Sequence, residues 1–251
     1  MGLFILGVIP ARFHSTRFPG KPLAIISGKP MIQHVYERAL KASAINKLIV
    51  ATDNERIKDV VEGFGGNVVM TDSTLPSGTD RVAEVARGID ADIILNIQGD
   101  EPLVHPDMLN ALSKPFFKDS KIVMTTLVSS IKSQDELDDP DVVKVVVNNK
   151  EEAIYFSRFP IPYPGKMGHD KKITGYLKHI GLYGYRKDFL MLLTSLPPSS
   201  LEISERLEQL RVIENGFKIK TVKVEANTIG VDKPEDIKKV ETFLKKNPLH
   251  Y

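Results

Sequence analysis

There is no cysteine in this chain of 251 residues. Its absence excludes a disulfide framework, thiol catalysis and any cysteine-held zinc site. Net charge is nearly absent as well: 34 Lys and Arg against 32 Asp and Glu leave +2. So balanced a chain offers no general basic surface to nucleic acid, and any anion it binds must meet a local basic cluster. No apolar run approaches the ~18 residues of a membrane-crossing helix. The opening run Leu3–Ile9 lacks a basic leader and a small-residue cleavage site, and Pro10-Ala11-Arg12 ends it. It reads as a buried strand, not a signal peptide. The expectation is a cytoplasmic enzyme with no nucleic-acid and no membrane partner. Two nucleotide-binding loops are missing too. No G-x-G-x-x-G follows the first strand, which disfavours a nicotinamide oxidoreductase, and no G-x-x-x-x-G-K-[ST] occurs, which disfavours a P-loop NTPase.

What is present alternates. Apolar residues make up 42% and charged residues 26%, an ordinary globular balance with ample length for a core. Leu3–Ile9 is continuously apolar, as in a strand covered on both faces. Pro30–Ala42 carries Met31, Val35 and Ala39 on one helical stripe, with Pro30 in its first turn. A strand over Lys47–Ala51, a helix over Asn54–Phe64 closed by Gly65-Gly66, and a strand over Asn67–Met70 follow. A helix over Thr79–Arg87 and a strand over Asp92–Ile97 come next. This βαβα succession predicts an α/β fold with a mostly parallel sheet flanked by helices. The second half is less regular. Strands are expected over Lys121–Ser130, Val142–Asn148, Ala153–Phe156, Ile180–Arg186 and Lys218–Val224. Helices are expected over Glu202–Glu214 and Pro234–Lys245, a loop from about Phe159 to Gly175, and a frayed tail over Lys246–Tyr251. No linker, repeat or low-complexity tract intervenes. One continuous domain over residues 1–251, with an inserted dimerisation or lid portion, is the simplest reading.

The first loop concentrates chemistry. Directly after a buried strand come Arg12, Ser15, Thr16, Arg17, Gly20 and Lys21. Ligands of such sheets bind beyond the carboxyl ends of the strands. Arg12 and Arg17 can hold phosphate through paired donors, Lys21 adds a point charge, and backbone N–H groups add further anion contacts. A solvated basic loop is the plain alternative. Further on, Asp100 follows the apolar strand Ile93–Ile97, where a carboxylate suits Mg²⁺; a turn-forming aspartate is the alternative. Ser77 or Thr79 can cap the helix that follows. By spacing alone Asp232 reads as the N-cap of the last helix. His179 alone would be an unremarkable histidine, and Glu208 and Gln209 sit in a helix whose Leu201, Leu207 and Leu210 are core.

Taken in order, these segments resemble the 3-deoxy-manno-octulosonate (Kdo) cytidylyltransferases, or CMP-Kdo synthetases. The match begins at Pro10-Ala-Arg-Phe-His-Ser-Thr-Arg-Phe-Pro-Gly-Lys-Pro-Leu23 and runs through Gly28-Lys29-Pro30, Ala51-Thr52-Asp53, Ser77-Gly78-Thr79-Asp80-Arg81 and Gln98-Gly99-Asp100-Glu101-Pro102. It continues in Tyr155–Arg158, Lys178–Tyr185, Leu207–Arg211 and Gly230–Asp236. The resemblance implies a Rossmann-like nucleotidyltransferase fold, usually dimeric, and the reaction of CTP with Kdo to give CMP-Kdo and pyrophosphate for lipopolysaccharide synthesis. Residues 1–130 would then be mainly CTP-binding, and about 150–215 would bind the sugar acid and form the dimer.

Carried over residue by residue, the resemblance implies Arg12, Lys21, Asp100 and Asp232 as catalytic residues. Ala11, Arg12, Ser15, Arg17, Lys21, Ser77, Gly78, Thr79, Arg81 and Asp100 would bind the nucleotide. Gln98, Arg158, His179, Tyr185, Glu208 and Gln209 would face the sugar acid, with Arg158 or His179 on its carboxylate. Asp100 and Asp232 would hold Mg²⁺. Phe13-His14 and the stretch Pro162–Leu177 depart from the family's pattern. The latter keeps open an amino analogue such as 8-amino-Kdo, or the reaction of another CMP-sugar synthetase.

Overall fold

The computed structural model describes residues 2–14, 18–163, 175–225 and 229–247. The chain runs through β1 (Ile5–Ala11), the short pair β2 (Ile25–Ile26) and β3 (Lys29–Pro30), α1 (Met31–Ala39), β4 (Lys47–Thr52), α2 (Glu55–Gly63), β5 (Val68–Met70), α3 (Gly78–Arg87), β6 (Ile93–Asn96) and α4 (Pro106–Lys118). It continues with β7 (Met124–Ser130), α5 (Gln134–Asp138), β8 (Lys144–Val147), β9 (Ala153–Ser157), β10 (Leu177–Arg186), α6 (Lys187–Ser195), α7 (Ser200–Glu205), α8 (Gln209–Glu214), β11 (Lys220–Lys223) and α9 (Pro234–Lys246). The chain groups into two compact units. One is Met1–Asn110 with Asn227–Tyr251, the other Ala111–Ala226.

In the first unit β6, β1, β4 and β5 lie side by side in that order, all parallel. Ile5, Leu6, Val8 and Ile9 of β1 are at most 1% exposed, so both faces of the strand are covered. The helical stripes supply the cover: Met31, Ile32, Val35 and Ala39 of α1, and Val82, Ala83 and Ala86 of α3, are buried. Each such side chain contributes about 1.5–3 kcal/mol when the larger ones are fully buried. A smaller core joins the start and end of the chain, with Ile26, Met31 and Leu103 packed against Val231, Val240 and Leu244. This packing fixes the segment that carries Asp232. His34 of α1 lies in the same region; its Nε2 is 2.7 Å from the Ile26 carbonyl oxygen, and burial lowers its pKa, so the neutral ring donates there.

In the second unit β11 runs parallel to β7, and β7–β10, β10–β8 and β8–β9 pair antiparallel. The β7–β10 ladder is interrupted: Leu127 faces Ile180, but Thr126 faces Tyr183. The bulge at Gly181-Leu182 re-aims the side chains that follow it. The helix expected over Glu202–Glu214 is two helices. Arg206, with φ 56°, takes a left-handed conformation that ends α7, and α8 restarts at Gln209. The break turns Leu207, Leu210 and Val212 into the core, whereas α7 buries nothing. Three helices lie where the sequence reading placed none. Pro115 inside α4 obscures its pattern, α5 is a single turn and a half, and α6 follows β10 without a turn signal. Of the tail expected to fray over Lys246–Tyr251, Lys246 is the last residue of α9 and 248–251 lie outside the described residues.

Candidate active site

The carboxyl ends of β1 and β6 and the segment before α9 bring three predicted residues together. Gly20, with φ 70°, caps a 3₁₀ turn over Lys21–Leu23 and so fixes the Lys21 backbone. The Lys21 ammonium lies 2.6 Å from Asp100 Oδ2, 3.7 Å from Asp232 Oδ1 and 3.0 Å from the Val231 carbonyl oxygen. Two further contacts hold the loops that deliver these groups. The Val231 N–H donates to the Asp100 carbonyl oxygen at 2.9 Å. Gly99 is needed because a Cβ there would lie 2.9 Å from the Pro10 carbonyl oxygen. Asp232 does not cap α9 as its spacing suggests. The cap position is Lys233; Asp236, in the first turn, accepts from the backbone N–H of Asp232 and Lys233 at 3.1 and 3.0 Å, while the Asp232 carboxylate turns to Lys21. Glu101 lies against Gly230.

Arg12 leaves the end of β1 half-buried and donates to the Leu75 carbonyl oxygen at 3.2 Å. Ala11 is buried with its backbone in register against Thr52, so only its main chain can serve a ligand. Ser77 is the cap of α3: its Oγ accepts from the Asp80 N–H at 3.1 Å and donates to Asp80 Oδ2 at 2.5 Å. Gly78 lies beside Pro10. Thr79 is buried and accepts from Asn96 at 3.4 Å, and Asn96 accepts in turn from Gln98 at 3.4 Å. Gln98 thus stands with the first unit's residues. Arg81 is fully buried. It pairs with Asp53 at 2.7 Å and donates to Thr71 Oγ1. Burial disfavours its charge, and Asp53 offsets this. Its guanidinium therefore ties the ends of β4 and β5, and no exposed part of it is left for a nucleotide. Ser15 and Arg17 lie outside the described residues.

The second unit gathers a different group. His179 of β10 packs edge-on to Phe156, 5.1 Å between centroids, and against Tyr183 at 5.4 Å. Tyr183 donates to Gln209 Oε1 at 3.1 Å, and Gln209 is buried. Burial pushes the His179 imidazole down to about 3. It raises the Tyr183 hydroxyl, with Glu208 adding to the effect. Both are neutral at pH 7. The network also assigns the tautomer. Thr126 Oγ1 has one proton, which goes to the Leu182 carbonyl oxygen at 2.9 Å, so it must accept from His179 Nε2–H at 2.9 Å. Nδ1 is left as an acceptor. A neutral acceptor suits a hydroxyl or amine, so His179 lacks the charge expected of a carboxylate holder.

Two other expected sugar-facing residues have their own surroundings. Arg158 donates to the Glu205 carbonyl oxygen at 2.9 Å and to the Pro140 carbonyl oxygen at 2.9 Å, bracing the end of α7. Tyr185 is 1% exposed and sits behind Tyr183, 6.0 Å away. Tyr183 is the residue that sequence reasoning missed. Both tyrosines alternate identically along β10, on one face beyond the bulge, and what marks Tyr183 is its bond to Gln209. Val231, Asp53 and Thr126 were also missed, since each acts through a partner distant in sequence.

Comparison with known proteins shows the family. A family profile described as cytidylyltransferase matches residues 6–221. The 3-deoxy-manno-octulosonate cytidylyltransferase of Geobacter metallireducens is 52% identical over 94% of this chain and 96% of its own length. That of Syntrophotalea carbinolica is 50% identical over 96% and 98%. A solved CMP:2-keto-3-deoxy-manno-octonic acid synthetase complexed with CTP matches with a TM-score of 0.91 and 45% identity, covering 97% of this chain and 99% of that one. The fold is the mostly parallel α/β sheet of the nucleotidyltransferases, and the chain is an enzyme of that class. It belongs to the cytidylyltransferase family, among the 3-deoxy-manno-octulosonate cytidylyltransferases.

Proposed function

We propose that this enzyme transfers CMP from CTP to 3-deoxy-manno-octulosonate, releasing pyrophosphate and supplying lipopolysaccharide synthesis. The observation that carries the reading is the meeting of Lys21, Asp100 and Asp232 beyond the strand ends, in a cytidylyltransferase whose relatives are named for this sugar acid. In the reaction a hydroxyl oxygen of the sugar acid attacks the α-phosphorus. The bond from that phosphorus to the bridging oxygen breaks, pyrophosphate leaves, and the hydroxyl proton passes to solvent. Arg12, Arg17 and Lys21 hold the triphosphate and meet the charge that gathers on the leaving group. Ser15 and the main chain at Ala11 add donors. Ser77, Gly78 and Thr79 line the nucleoside end, and Arg81 holds that wall in place. His179, Tyr183, Glu208 and Gln209 read the hydroxyl groups of the sugar acid.

The donor set around Lys21 fits a hard divalent cation: two carboxylates and a carbonyl, all oxygen. Among the described residues no three His, Asp or Glu side chains form a metal cluster. That fits Mg²⁺, which takes one or two carboxylates and completes its shell with phosphate and water. Asp100 and Asp232 would hold it. When bound it supplies charge neutralisation between two anionic substrates and a lowered pKa for the attacking hydroxyl.

We assign the enzyme to the cytoplasm, where CTP is made. No helix among the described residues is long and apolar enough to cross a membrane. A homodimer is the proposed assembly. Supporting it, the second unit exposes Ile154, Phe159 and Ile203 at 51%, 79% and 67%, large apolar side chains near the edge strand β9 and α7. Mass analysis of the product formed from CTP and Kdo tests the central step. The expected product is CMP-Kdo, formed with Mg²⁺ and lost on chelation; free CMP alone, or full activity in chelator, overturns it.

A further inference from the structure

We infer that Lys21 is a built-in counterion that positions Asp100 and Asp232 before the metal arrives, and that it must yield its place to the metal and move to the triphosphate. The inference rests on the proposed assignment of these two aspartates to Mg²⁺. One ammonium faces both carboxylates and a main-chain carbonyl, at 2.6, 3.7 and 3.0 Å. That is the oxygen set a divalent cation would take. The lysine side chain is 15% exposed, whereas Asp100 and Asp232 are 34% and 47% exposed. The ammonium is the inner partner and the carboxylates face outward, open to an arriving ion.

Charge makes the exchange directional. One positive charge against two negative leaves the cluster negative; a doubly charged ion balances it. With that ion in place the ammonium is repelled from the aspartates, and the triphosphate is the nearest anion its flexible stem can serve. Metal and triphosphate thus each free what the other needs. Such reciprocity is a coupling free energy, and the two ligands must raise each other's affinity by the same factor. Without nucleotide, a metal must displace Lys21 and binds weakly. Lys21 is in this respect a positioning residue, distinct from its contact with phosphate.

The test is Mn²⁺ binding to the full chain, followed by the electron-spin signal of free Mn²⁺, with and without CTP. Without CTP, Lys21→Met is expected to bind Mn²⁺ roughly tenfold more tightly than wild type, within the 5–150-fold range of such couplings. Adding Asp100→Asn to Lys21→Met should abolish the gain. Lys21→Gln, which keeps polarity without charge, gives the same reading if Lys21→Met misfolds. Equal Mn²⁺ affinity of wild type and both variants without CTP overturns the counterion role. In that case, weakened Mn²⁺ binding by Asp100→Asn with CTP present leaves the metal assignment standing. Wild-type Mn²⁺ binding by Asp100→Asn and Asp232→Asn with CTP overturns both.

Discussion

Lys21, Asp100 and Asp232 in the first unit are charged, partly exposed and paired with one another. His179, Tyr183 and Gln209 in the second unit form a neutral group in which His179 Nε2, the Tyr183 hydroxyl and Gln209 Oε1 have fixed partners. The difference follows what each group is proposed to handle. A triphosphate brings its own charge, and partly solvated cations and carboxylates meet it without the cost of burying an ion unpaired. A sugar's hydroxyl groups carry no charge, so discrimination there must come from donors and acceptors held in place, and buried polar groups reject a ligand that leaves them unpaired. Arg81 and Asp53 form a third case, a charge pair whose guanidinium is fully buried.

The comparison breaks if substitutions in the two groups fail to separate. Asp100→Asn and Asp232→Asn should lower turnover by about 10³, or ~4 kcal/mol, with circular dichroism and Tm unchanged. Turnover against Mg²⁺ concentration checks this; a wild-type magnesium profile in both variants contradicts it. Arg12→Ala belongs to the same group and should cost about 10² in turnover. Arg81→Met should act on stability instead. Removing one partner strands Asp53 and costs about 3 kcal/mol or more, read from the urea midpoint. An unchanged midpoint with weakened CTP binding would return Arg81 to the nucleotide.

The smaller effects fall on the neutral group. Gln209→Ala removes one neutral hydrogen bond, worth about 0.5–1.5 kcal/mol. The KM for the sugar acid should rise by up to roughly tenfold while that for CTP stays constant; equal changes in both would show that the group has no separate role. The His179 ring should show no titration by NMR between pH 8 and 5. Its folded pKa is lowered, so the unfolded chain takes up the proton first. Its contribution to stability is full above pH 6.5 and falls as pH drops towards about 3. Relative to His179→Gln, the wild-type urea midpoint should therefore fall more steeply between pH 6.5 and 4. Parallel curves would mean that the ring is protonated in the fold.

The parts legible in the sequence are those governed by neighbours. Leu3–Ile9 announces a covered strand, Asn54 and Ser77 cap the helices they precede, and Asp100 stands at the end of an apolar run. The basic loop after β1 needs no tertiary knowledge to suggest phosphate. The parts not legible depend on contacts across the chain. Asp232 looks like a cap until Asp236 is seen to take the backbone N–H groups. Arg81 looks like one more cation in a binding segment until Asp53 and Thr71 enclose it. Tyr183 and Tyr185 are indistinguishable until Tyr183 is seen to donate to Gln209, on a different element. Arg206 breaks a helix whose apolar spacing runs on without a glycine or proline to mark the break.

Pyrophosphate release with CTP, UTP, ATP and GTP, each against Kdo, 8-amino-Kdo and sialic acid, tests the central claim most directly. Release is expected with CTP and Kdo, and far more slowly with the other nucleotides and acceptors. Equal release with UTP, or faster release with 8-amino-Kdo or sialic acid than with Kdo, would contradict it.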